Sequence, residues 1–562
     1  MILKLRDHIA FITILIFYLV LFIPFLGNVH LFDWDEINFA EAAREMLVTG
    51  DWLNVQINYE PFWEKPPLFI WLQAISMKVF GITEFAARFP NVLAGLASLI
   101  LLYSIVLKRY GKQAAVFTLF LYIGSITPHF YFKSGIIDPV FNLFIFTGIL
   151  FLVKSIETSE MSNFFWSGLF LGLAVLTKGP VAILITGLVG LVYQVVYGSS
   201  FYSIKSLVLL MAGLSLVPGA YFGIQIYQSG LWFLQEFVVY NIDLFRYPIA
   251  SHGQPFYYHI VVLLIGCFPL FIFVIDSMFT RKSLQNDSTF YRWMKVLFWV
   301  VLILFSLVTT KIVHYSSLCY IPLAIVGGTW LSDFSKLKIF PKILFGIVGL
   351  IWTFILLAAG AFALNEDKII SFLKRNINDD FVRSQLAAEV EWSIVPIFLA
   401  ILLIGSALSV IIRPSKISIS RFLVTNTLVI ALLMISIIPN VEKKVQGDWI
   451  SHLKTYQGKE IAHFTLGFKS YAHKYYTHQQ QIVEYDLAKK TIINNLGYES
   501  IYDLNQTEKS HFETILRNYV LRQTNIPISV SAKIQKFDEL NTQYPDLKQV
   551  FEGNGYGVWE RK

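Results

Sequence analysis

Charged residues are scarce in this chain of 562 residues. Asp, Glu, Lys and Arg together make up 15% of it, against roughly 25% in a typical soluble protein. Hydrophobic residues reach 55%, and the mean hydropathy is +0.58. This balance excludes a soluble globular protein and predicts a polytopic membrane protein. The formal net charge of +7 lies mainly in short loops, which indicates membrane topology and not a nucleic-acid partner.

Cysteines and nucleotide-binding motifs are also lacking. The two cysteines, Cys267 and Cys319, both fall inside apolar runs, which excludes a disulfide framework and a thiolate metal site. The sequence has no P-loop, no Gly-rich dinucleotide loop and no large nucleotide-binding domain. A reaction on a soluble nucleotide is therefore not expected.

Long apolar runs are what the sequence has in abundance. A membrane-spanning helix needs about 20 apolar residues. Thirteen runs qualify as candidate spans. They are 8–27, 89–107, 113–132, 137–154, 164–178, 180–197, 204–224, 258–279, 293–310, 315–332, 341–364, 393–412 and 421–438.

One further apolar run, 67–80, would cover only about 21 Å as a helix, which is too short to cross easily. If it does not cross, the basic loops all share the cytoplasmic side with the N-terminus, as the positive-inside tendency requires. These loops are 108–112, 280–292, 333–340 and 413–420. We therefore expect 67–80 to form an interfacial or re-entrant helix, with 28–88 and the chain after 440 on the outer face.

The sequence predicts two domains, a membrane domain over 1–440 and a separate polar domain over 441–562. In the second domain, Ile461–Phe468 and Gln481–Tyr485 have strand-like patterns, and Glu508–Leu521 has a helical one. Gly553-Asn554-Gly555 is typical of a hairpin turn. We expect a small α/β domain that faces outward.

Within the outer loop 28–88, charges concentrate in Asp33-Trp34-Asp35-Glu36. A chain that mostly faces lipid rarely places so many charges together unless a site needs them. Residues 35–47 predict a short amphipathic helix that Asp33 or Asp35 could cap. A solvated interfacial helix would explain this cluster equally well, and a snorkelling lysine would explain Glu64-Lys65.

Four cations, Lys65, Lys178, Arg246 and Lys311, lie on the predicted outer face, where the positive-inside tendency disfavours them. Each has a local explanation, such as Lys178 at a helix C-terminus, and Asp138 could cap a helix. Together with the acidic cluster they predict an anionic ligand, because Lys and Arg hold phosphate. A nearby carboxylate could act as a general base. Since the site faces away from cytoplasmic nucleotides, a phosphate carried on a lipid is expected.

This series of residues resembles the glycosyltransferase family 39, which includes the lipid A aminoarabinose transferases and the protein O-mannosyltransferases. The resemblance covers about residues 30–330 in order. The matching motifs are Asp35-Glu36-x-x-Phe39-Ala40-Glu41, Arg44-Glu45-Met46-Leu47, Gly50-Asp51-Trp52, Glu64-Lys65-Pro66-Pro67, Ile137-Asp138-Pro139, Leu176-Thr177-Lys178-Gly179-Pro180, Arg246 to Tyr258, and Lys311 to Tyr315.

The resemblance implies a GT-C fold, an α-helical polytopic membrane protein with about thirteen transmembrane helices, and a small C-terminal extracytoplasmic α/β domain. It implies an enzyme of the bacterial inner membrane, with its active site on the periplasmic face. The donor would be a sugar on a polyprenyl phosphate, most simply undecaprenyl phosphate. The acceptor would be a lipid such as lipid A, a glycan or a protein.

The resemblance also implies roles for individual residues. Asp35 would be the catalytic base in an inverting displacement. The donor phosphate would be held by Lys65, Lys178 and Arg246, and the pocket would be shaped by Glu36, Asp138 and Tyr315. No cofactor is expected to be obligatory, although Glu64 and His252 match positions that can meet a divalent metal ion in the family.

A transporter or flippase of a lipid-linked or anionic substrate is the alternative class. Such a protein would also collect charges, but would place several of them at mid-membrane depth. Here the predicted spans are nearly free of ionisable residues, and the charges cluster at one face. The pattern therefore favours chemistry at the membrane surface over translocation.

Overall fold

Helices dominate the computed structural model, which describes residues 5–33, 35–198, 203–246, 253–279, 288–334, 336–498, 504 and 506–561. The chain divides into two units. The first, here called the helical unit, comprises 1–28, 42–360 and 394–436. The second, here called the mixed unit, comprises 29–41, 361–393 and 437–562.

The helical unit contains most of the long helices. In order they are α1 (Leu5–Phe22), α2 (Asp35–Thr49), α3 (Leu68–Phe80), α4 (Glu84–Ile123), α5 (Ile126–Phe132), α6 (Asp138–Thr158), α7 (Ser162–Lys178), α8 (Val181–Tyr197), α9 (Ile204–Ser229), α10 (Trp232–Arg246), α11 (Tyr258–Gly266), α12 (Leu270–Phe279), α13 (Thr289–Leu307), α14 (Tyr320–Ser332), α15 (Ile339–Asn376), α17 (Val395–Ile412) and α18 (Lys416–Ser436), with α16 (Asp380–Ala387) in the mixed unit. Two helices belong to both units along the chain, since α2 begins in the mixed unit and α15 ends in it. A 3₁₀ helix, Val313–Cys319, precedes α14, and a two-stranded hairpin joins β1 (Gln56–Ile57) to β2 (Glu60–Pro61).

Each predicted span coincides with helical structure, so the expectation of a polytopic helical protein is confirmed. Seven helices of the described residues are long and apolar enough to cross a membrane. The predicted loop 108–112 appears inside α4 as a kink at Gly111, and the predicted span 258–279 is divided at Pro269 into α11 and α12. The run 67–80 is the short helix α3, and its interfacial position stays a prediction.

Helices α7 and α9 pack backbone to backbone through glycines. A Cβ atom placed on Gly168 would lie 2.0 Å from the carbonyl oxygen of Leu210, and one on Gly213 would lie 2.1 Å from that of Phe165. Small residues allow such close approach, which is the usual way in which membrane helices gain van der Waals contact. This contact fixes α7, and α7 ends at Lys178.

The mixed unit holds a four-stranded sheet and short helices. The strands are β3 (Ala462–Leu466), β4 (Ile528–Lys533), β5 (Lys548–Gly553) and β6 (Tyr556–Arg561), in the order β3-β4-β6-β5. Strands β3 and β4 run parallel, with Phe464 opposite Val530, and the other pairs are antiparallel. The helices are α19 (Ile438–Glu442), α20 (Asp448–Lys454), α21 (Ala472–Thr477), α22 (Val483–Asn495), α23 (Gln506–Gln523) and α24 (Phe537–Gln543), with a π turn, Lys443–Gly447, and a 3₁₀ turn, Ile534–Lys536.

The predicted hairpin at the end of the chain is confirmed, and its turn has a second role. Asn554 and Gly555 both have positive φ, 53° and 78°, as a tight hairpin of this twist requires. The Asn554 side chain also accepts a hydrogen bond from the backbone N–H of Asp448 at 2.7 Å and donates to the carbonyl of Lys443 at 2.9 Å. The turn is thereby fastened to the start of α20.

Of the two strands predicted in the mixed unit, one is confirmed and one is wrong. The strand predicted within Ile461–Phe468 is present as β3. The strand predicted at Gln481–Tyr485 is wrong, because Val483 begins α22. The sequence reasoning also missed β4, although Ile528, Val530 and Ala532 alternate with serines as in a typical strand. Its first five residues are all buried, the serines included.

We expect Gly168→Ala to destabilise the helical unit, because the added methyl group meets a backbone carbonyl that cannot rotate away. The matched control is Gly187→Ala in α8, where a Cβ would meet nothing within 4 Å. The control should be neutral or should stabilise the protein by roughly 0.5–1 kcal/mol, the cost of glycine in a helix. Thermal unfolding of the detergent-solubilised chain measures both, and equal midpoints would contradict the close contact.

Candidate active site

The loop that carries Lys65 is fastened to three helices of the helical unit. The indole nitrogen of Trp71 in α3 donates to the carbonyl of Trp52 at 2.6 Å. Gln225 in α9 donates to the carbonyl of Leu53 at 2.8 Å, and the rings of Trp63 and Trp232 meet edge to face at 6.0 Å. These contacts give the loop a fixed position against α3, α9 and α10.

The turn of the β1–β2 hairpin is held by a buried carboxylate of α2. Glu45 is fully buried, and its two oxygens accept the backbone N–H groups of Asn58 and Tyr59 at 2.7 and 2.8 Å. Both turn residues have positive φ, 63° and 57°, which is unfavourable for residues other than glycine. The carboxylate compensates for this strain, so Glu45 stabilises the loop ahead of Lys65.

Lys65 itself contacts Tyr240, a residue of α10 that the sequence reasoning did not single out. Its ammonium group donates to the Tyr240 hydroxyl at 3.2 Å and lies 4.8 Å from the centre of the same ring. The ring stabilises the cation without neutralising its charge. Lys65 therefore keeps a net positive charge that an anion could use.

Lys178 and Asp138 form an ion pair between α6 and α7. The ammonium nitrogen of Lys178 lies 2.6 Å from Oδ1 of Asp138, which is 1% exposed. Burying a carboxylate without a partner costs several kcal/mol, so each charge makes the other tolerable at this depth. Asp138 does not cap α6 with its side chain, and Lys178 is more than a cation at the end of α7. The local explanations that the sequence allowed for these two residues are thus incomplete.

Aromatic rings surround the Lys178 ammonium group. Its nitrogen lies 5.2 Å from the centre of the Tyr315 ring and 5.7 Å from that of Phe141. A neighbouring hydrogen bond joins Asn142 of α6 to Ser317 of the 3₁₀ helix at 2.8 Å and keeps Tyr315 in register with α6. The structure therefore brings together three of the residues chosen from the sequence, Asp138, Lys178 and Tyr315.

One oxygen of Asp138 remains available. Its Oδ2 atom is buried and has no hydrogen-bond partner within the described ranges of the chain. A buried acceptor in this state normally costs about 1–3 kcal/mol. A hydroxyl group of a ligand could satisfy it.

Three of the selected residues remain to be placed, and two of them, Arg246 and His252, are described incompletely or not at all. The backbone of Arg246 ends α10, and Glu64 lies half-buried beside Lys65. His252 lies outside the described residues. Among the residues that are described, no three His, Cys, Asp or Glu side chains form a group that could hold a metal ion. The role of Glu64 and His252 at a metal ion stays a prediction, and no chemical step is assigned to a metal.

The segment with Asp33, Asp35 and Glu36 belongs to the mixed unit. Asp35 begins α2, and its side chain is partly exposed. Glu36 is 6% exposed, and its Oε2 atom accepts the backbone N–H of Phe32 at 3.0 Å. Glu36 therefore braces the entry into α2, and its place in the pocket stays a prediction.

Three further contacts hold the residues just ahead of Asp35. The hydroxyl of Tyr476 accepts the backbone N–H of Leu31 at 2.6 Å, and Gln446 donates to the carbonyl of Leu31 at 3.0 Å. The ring of His30 pairs with Glu442 at 2.9 Å. Sequence spacing could not reveal these contacts, because they join residues more than 400 positions apart.

Asp33 has an unusual electrostatic environment. Burial among protein atoms raises its pKa from 3.8 to about 6, although a hydrogen bond from Ser470 and the charge of Lys533 act in the opposite direction. The residue as a whole still has an exposed surface. Solvent screening therefore makes the effect on stability smaller than the rise in pKa alone would suggest.

Comparison with known proteins shows which sequences this chain resembles. Residues 64–222 match the family model for dolichyl-phosphate-mannose-protein mannosyltransferases. An uncharacterised protein of Aquifex aeolicus is 28% identical over 56% of this chain and 72% of its own length. The undecaprenyl phosphate-alpha-4-amino-4-deoxy-L-arabinose arabinosyl transferase of Pectobacterium carotovorum is 26% identical over 57% of this chain, and the match spans 58% of that relative.

The likeness in structure extends over almost the whole chain. The crystal structure of ArnT from Cupriavidus metallidurans in the apo state aligns over 98% of both chains, with a TM-score of 0.74 and 16% sequence identity. A second structure of that protein, bound to undecaprenyl phosphate, aligns over the same shares with a TM-score of 0.71. The chain therefore has the GT-C fold of these membrane glycosyltransferases. In sequence the chain is similar to members of the glycosyltransferase family 39, among them relatives named as aminoarabinose transferases.

We expect Asp33→Asn to change how stability depends on pH. The folded chain holds the Asp33 proton more tightly than the unfolded chain, so stability from this group falls as pH rises from about 4 to about 6. The variant removes this loss. Its thermal midpoint relative to wild type should therefore be higher at pH 7 than at pH 4. The control Asp367→Asn, an exposed residue of the same unit, should show no such difference, and identical behaviour of the two variants would contradict the prediction.

Proposed function

We propose that this chain transfers a sugar from a polyprenyl-phosphate donor, with undecaprenyl phosphate as the carrier, to an acceptor on the extracytoplasmic face of a bacterial inner membrane. The observation that carries the proposal is the Lys178–Asp138 pair, which lies against the Tyr315 ring and whose two members fall within the matched residues 64–222. The relatives named as arabinosyl transferases, and the related structure that holds undecaprenyl phosphate, support this donor class.

In the proposed reaction the acceptor attacks the anomeric carbon of the sugar. The bond between that carbon and the phosphate oxygen breaks, and polyprenyl phosphate leaves with inversion at carbon. The leaving phosphate gains negative charge as the bond breaks. Lys65, Lys178 and Arg246 would stabilise that charge, because cations already in position need no rearrangement during the reaction.

Lys178 can take this role in spite of its partner. An ammonium group has three N–H donors, and Asp138 uses one of them. The hydrogen bond to Asp138 fixes the direction of the remaining donors. Because the pair is neutral as a whole, it attracts a distant anion only weakly. The ion pair thus favours a phosphate at close range, held by hydrogen bonds, over loosely bound anions.

Asp35 would act on the acceptor. Where the acceptor is a hydroxyl group, Asp35 takes its proton as the new bond to carbon forms, and where it is a phosphate oxygen, Asp35 positions it. Lipid A, a glycan and a protein remain the acceptor candidates. The name of the arabinosyl transferase relatives supports 4-amino-4-deoxy-L-arabinose as the first sugar to test.

We expect Asp35→Asn to lower turnover by about 10²–10⁴-fold with a hydroxyl acceptor, the usual contribution of a general base. The fold and the binding of the donor should be unchanged. Release of undecaprenyl phosphate, measured by mass spectrometry over a panel of polyprenyl-phosphate sugars, gives the rate. The control is Asp367→Asn, and normal turnover of a folded Asp35→Asn chain would disprove the role of Asp35.

The Lys178–Asp138 pair allows a sharper test with two variants. Lys178→Met should destabilise the chain by about 3–5 kcal/mol, because it leaves a buried carboxylate without its partner. The double variant Lys178→Met with Asp138→Asn removes both charges and should recover most of that stability. Its KM for the donor should nevertheless rise at least tenfold. A stable double variant with normal donor kinetics would contradict the phosphate role of Lys178.

A further inference from the structure

Lys311 is a buried cation that the proposed reaction does not use. It lies between α13 and the 3₁₀ helix, it is 6% exposed, and its ammonium group donates to the carbonyl of Val308 at 2.7 Å. In the part of the chain that the structure describes, no carboxylate pairs with it. Burial of an ammonium group without a counter-ion costs several kcal/mol, so this position favours the binding of an anion.

His259 adds a second open group beside Lys311. Its ring is fully buried, and neither ring nitrogen has a hydrogen-bond partner among the described residues. Helix α11, which carries His259, packs against α13 and the 3₁₀ helix, the two elements that flank Lys311, and the Lys311 charge acts on the ring. A buried ring nitrogen without a partner normally costs about 1–3 kcal/mol, and an oxygen atom of a bound anion would satisfy it.

Aromatic contacts connect this pair with the Lys178 site. The His259 ring lies 6.4 Å from that of Phe305, which lies 5.2 Å from the ring of Tyr315. Tyr315 in turn lies 5.2 Å from the ammonium group of Lys178. Asp138 neutralises Lys178, whereas nothing described neutralises Lys311. Of these two lysines, Lys311 therefore has the stronger attraction for a negative charge.

A purely structural role for Lys311 accounts for only part of these observations on Lys311 and His259. A cation near the C-terminus of a helix is favourable by about 0.3–1 kcal/mol, and the bond to Val308 at the end of α13 fits that role. It leaves both nitrogens of His259 unexplained. It also does not explain why the lysine is buried and not extended into solvent.

We propose that Lys311 and His259 form a second anion site, separate from the Lys178–Asp138 pair, which binds the phosphate group of a lipid substrate. The inference rests on the proposed function, which supplies two lipids that can carry phosphate, the polyprenyl donor and a phosphorylated acceptor such as lipid A. Lys311 gives a charge-assisted hydrogen bond to one phosphate oxygen, and His259 donates an N–H to another.

The test compares binding to the purified full chain in detergent. Lys311→Gln removes the charge and keeps a donor for the carbonyl of Val308, Lys311→Arg keeps the charge, and Lys336→Gln is an exposed control in the same unit. The probes are undecaprenyl phosphate, lipid A with its phosphates, and lipid A without them.

We expect Lys311→Gln to weaken binding of a phosphate-bearing probe by roughly 10–100-fold, the usual contribution of a hydrogen bond to a charged group. Lys311→Arg and Lys336→Gln should bind as wild type does, and His259→Asn should weaken the same probe.

The outcome also identifies the ligand. A loss confined to undecaprenyl phosphate assigns the site to the donor, and a loss confined to phosphorylated lipid A assigns it to the acceptor. Unchanged binding of both probes by a folded Lys311→Gln chain would overturn the inference, as would a wild-type chain that binds neither. Sugar transfer is measured in parallel. If wild type transfers sugar and Lys311→Gln binds the probes normally, the second site alone is refuted. If Lys311→Gln loses binding but wild type transfers no sugar, the proposed function alone is refuted.

Discussion

The ion pair between Lys178 and Asp138 is the interaction on which the arrangement of the helical unit's site depends. Each residue stands at the end of a long helix, Lys178 at the close of α7 and Asp138 at the start of α6. Neither charge is tolerable there without the other, because burial makes an unpaired ion costly. The pair therefore fixes the two helix ends together, and the close contact of α7 with α9 keeps the lysine at its depth.

This pairing divides the cations of the site into two kinds. Lys178 is neutralised by Asp138, so it can contribute directed hydrogen bonds but little long-range attraction. Lys65 lies against a tyrosine ring and keeps its charge, and Lys311 is buried without a carboxylate in the described residues. The proposed site must hold an anionic leaving group and then release it, so it benefits from both kinds of cation. If every cation were neutralised, the site would not attract the anion. If every cation were unpaired, the site would retain the product.

The sequence predicted much of this, and where it failed the reasons are physical. Apolar runs predicted the helices, because the length needed to cross a membrane is set by the bilayer. Lys178 was selected because a cation is unfavourable on the outer face and needs a reason, whereas the pocket roles of Asp138 and Tyr315 came from the resemblance to family 39. The contact of Leu31 with Tyr476 could not be predicted, since it joins distant segments through backbone groups that have no sequence signature. Strand β4 was missed although its apolar residues alternate with serines, because a run of six residues is a weak signal by itself. The start of α22 was mistaken for a strand because Ile482, Val483 and Tyr485 are residue types that favour strands.

In the proposed reaction the lipid phosphate is a leaving group, and the intact donor is not transported across the membrane. The most direct measurement follows an undecaprenyl-phosphate sugar in liposomes that contain the purified chain and an acceptor lipid. Mass spectrometry would record free undecaprenyl phosphate and glycosylated acceptor. The account predicts that both appear in equal amounts. Movement of the intact donor to the other leaflet, with no free undecaprenyl phosphate formed across the donor panel, would contradict it and indicate a transporter.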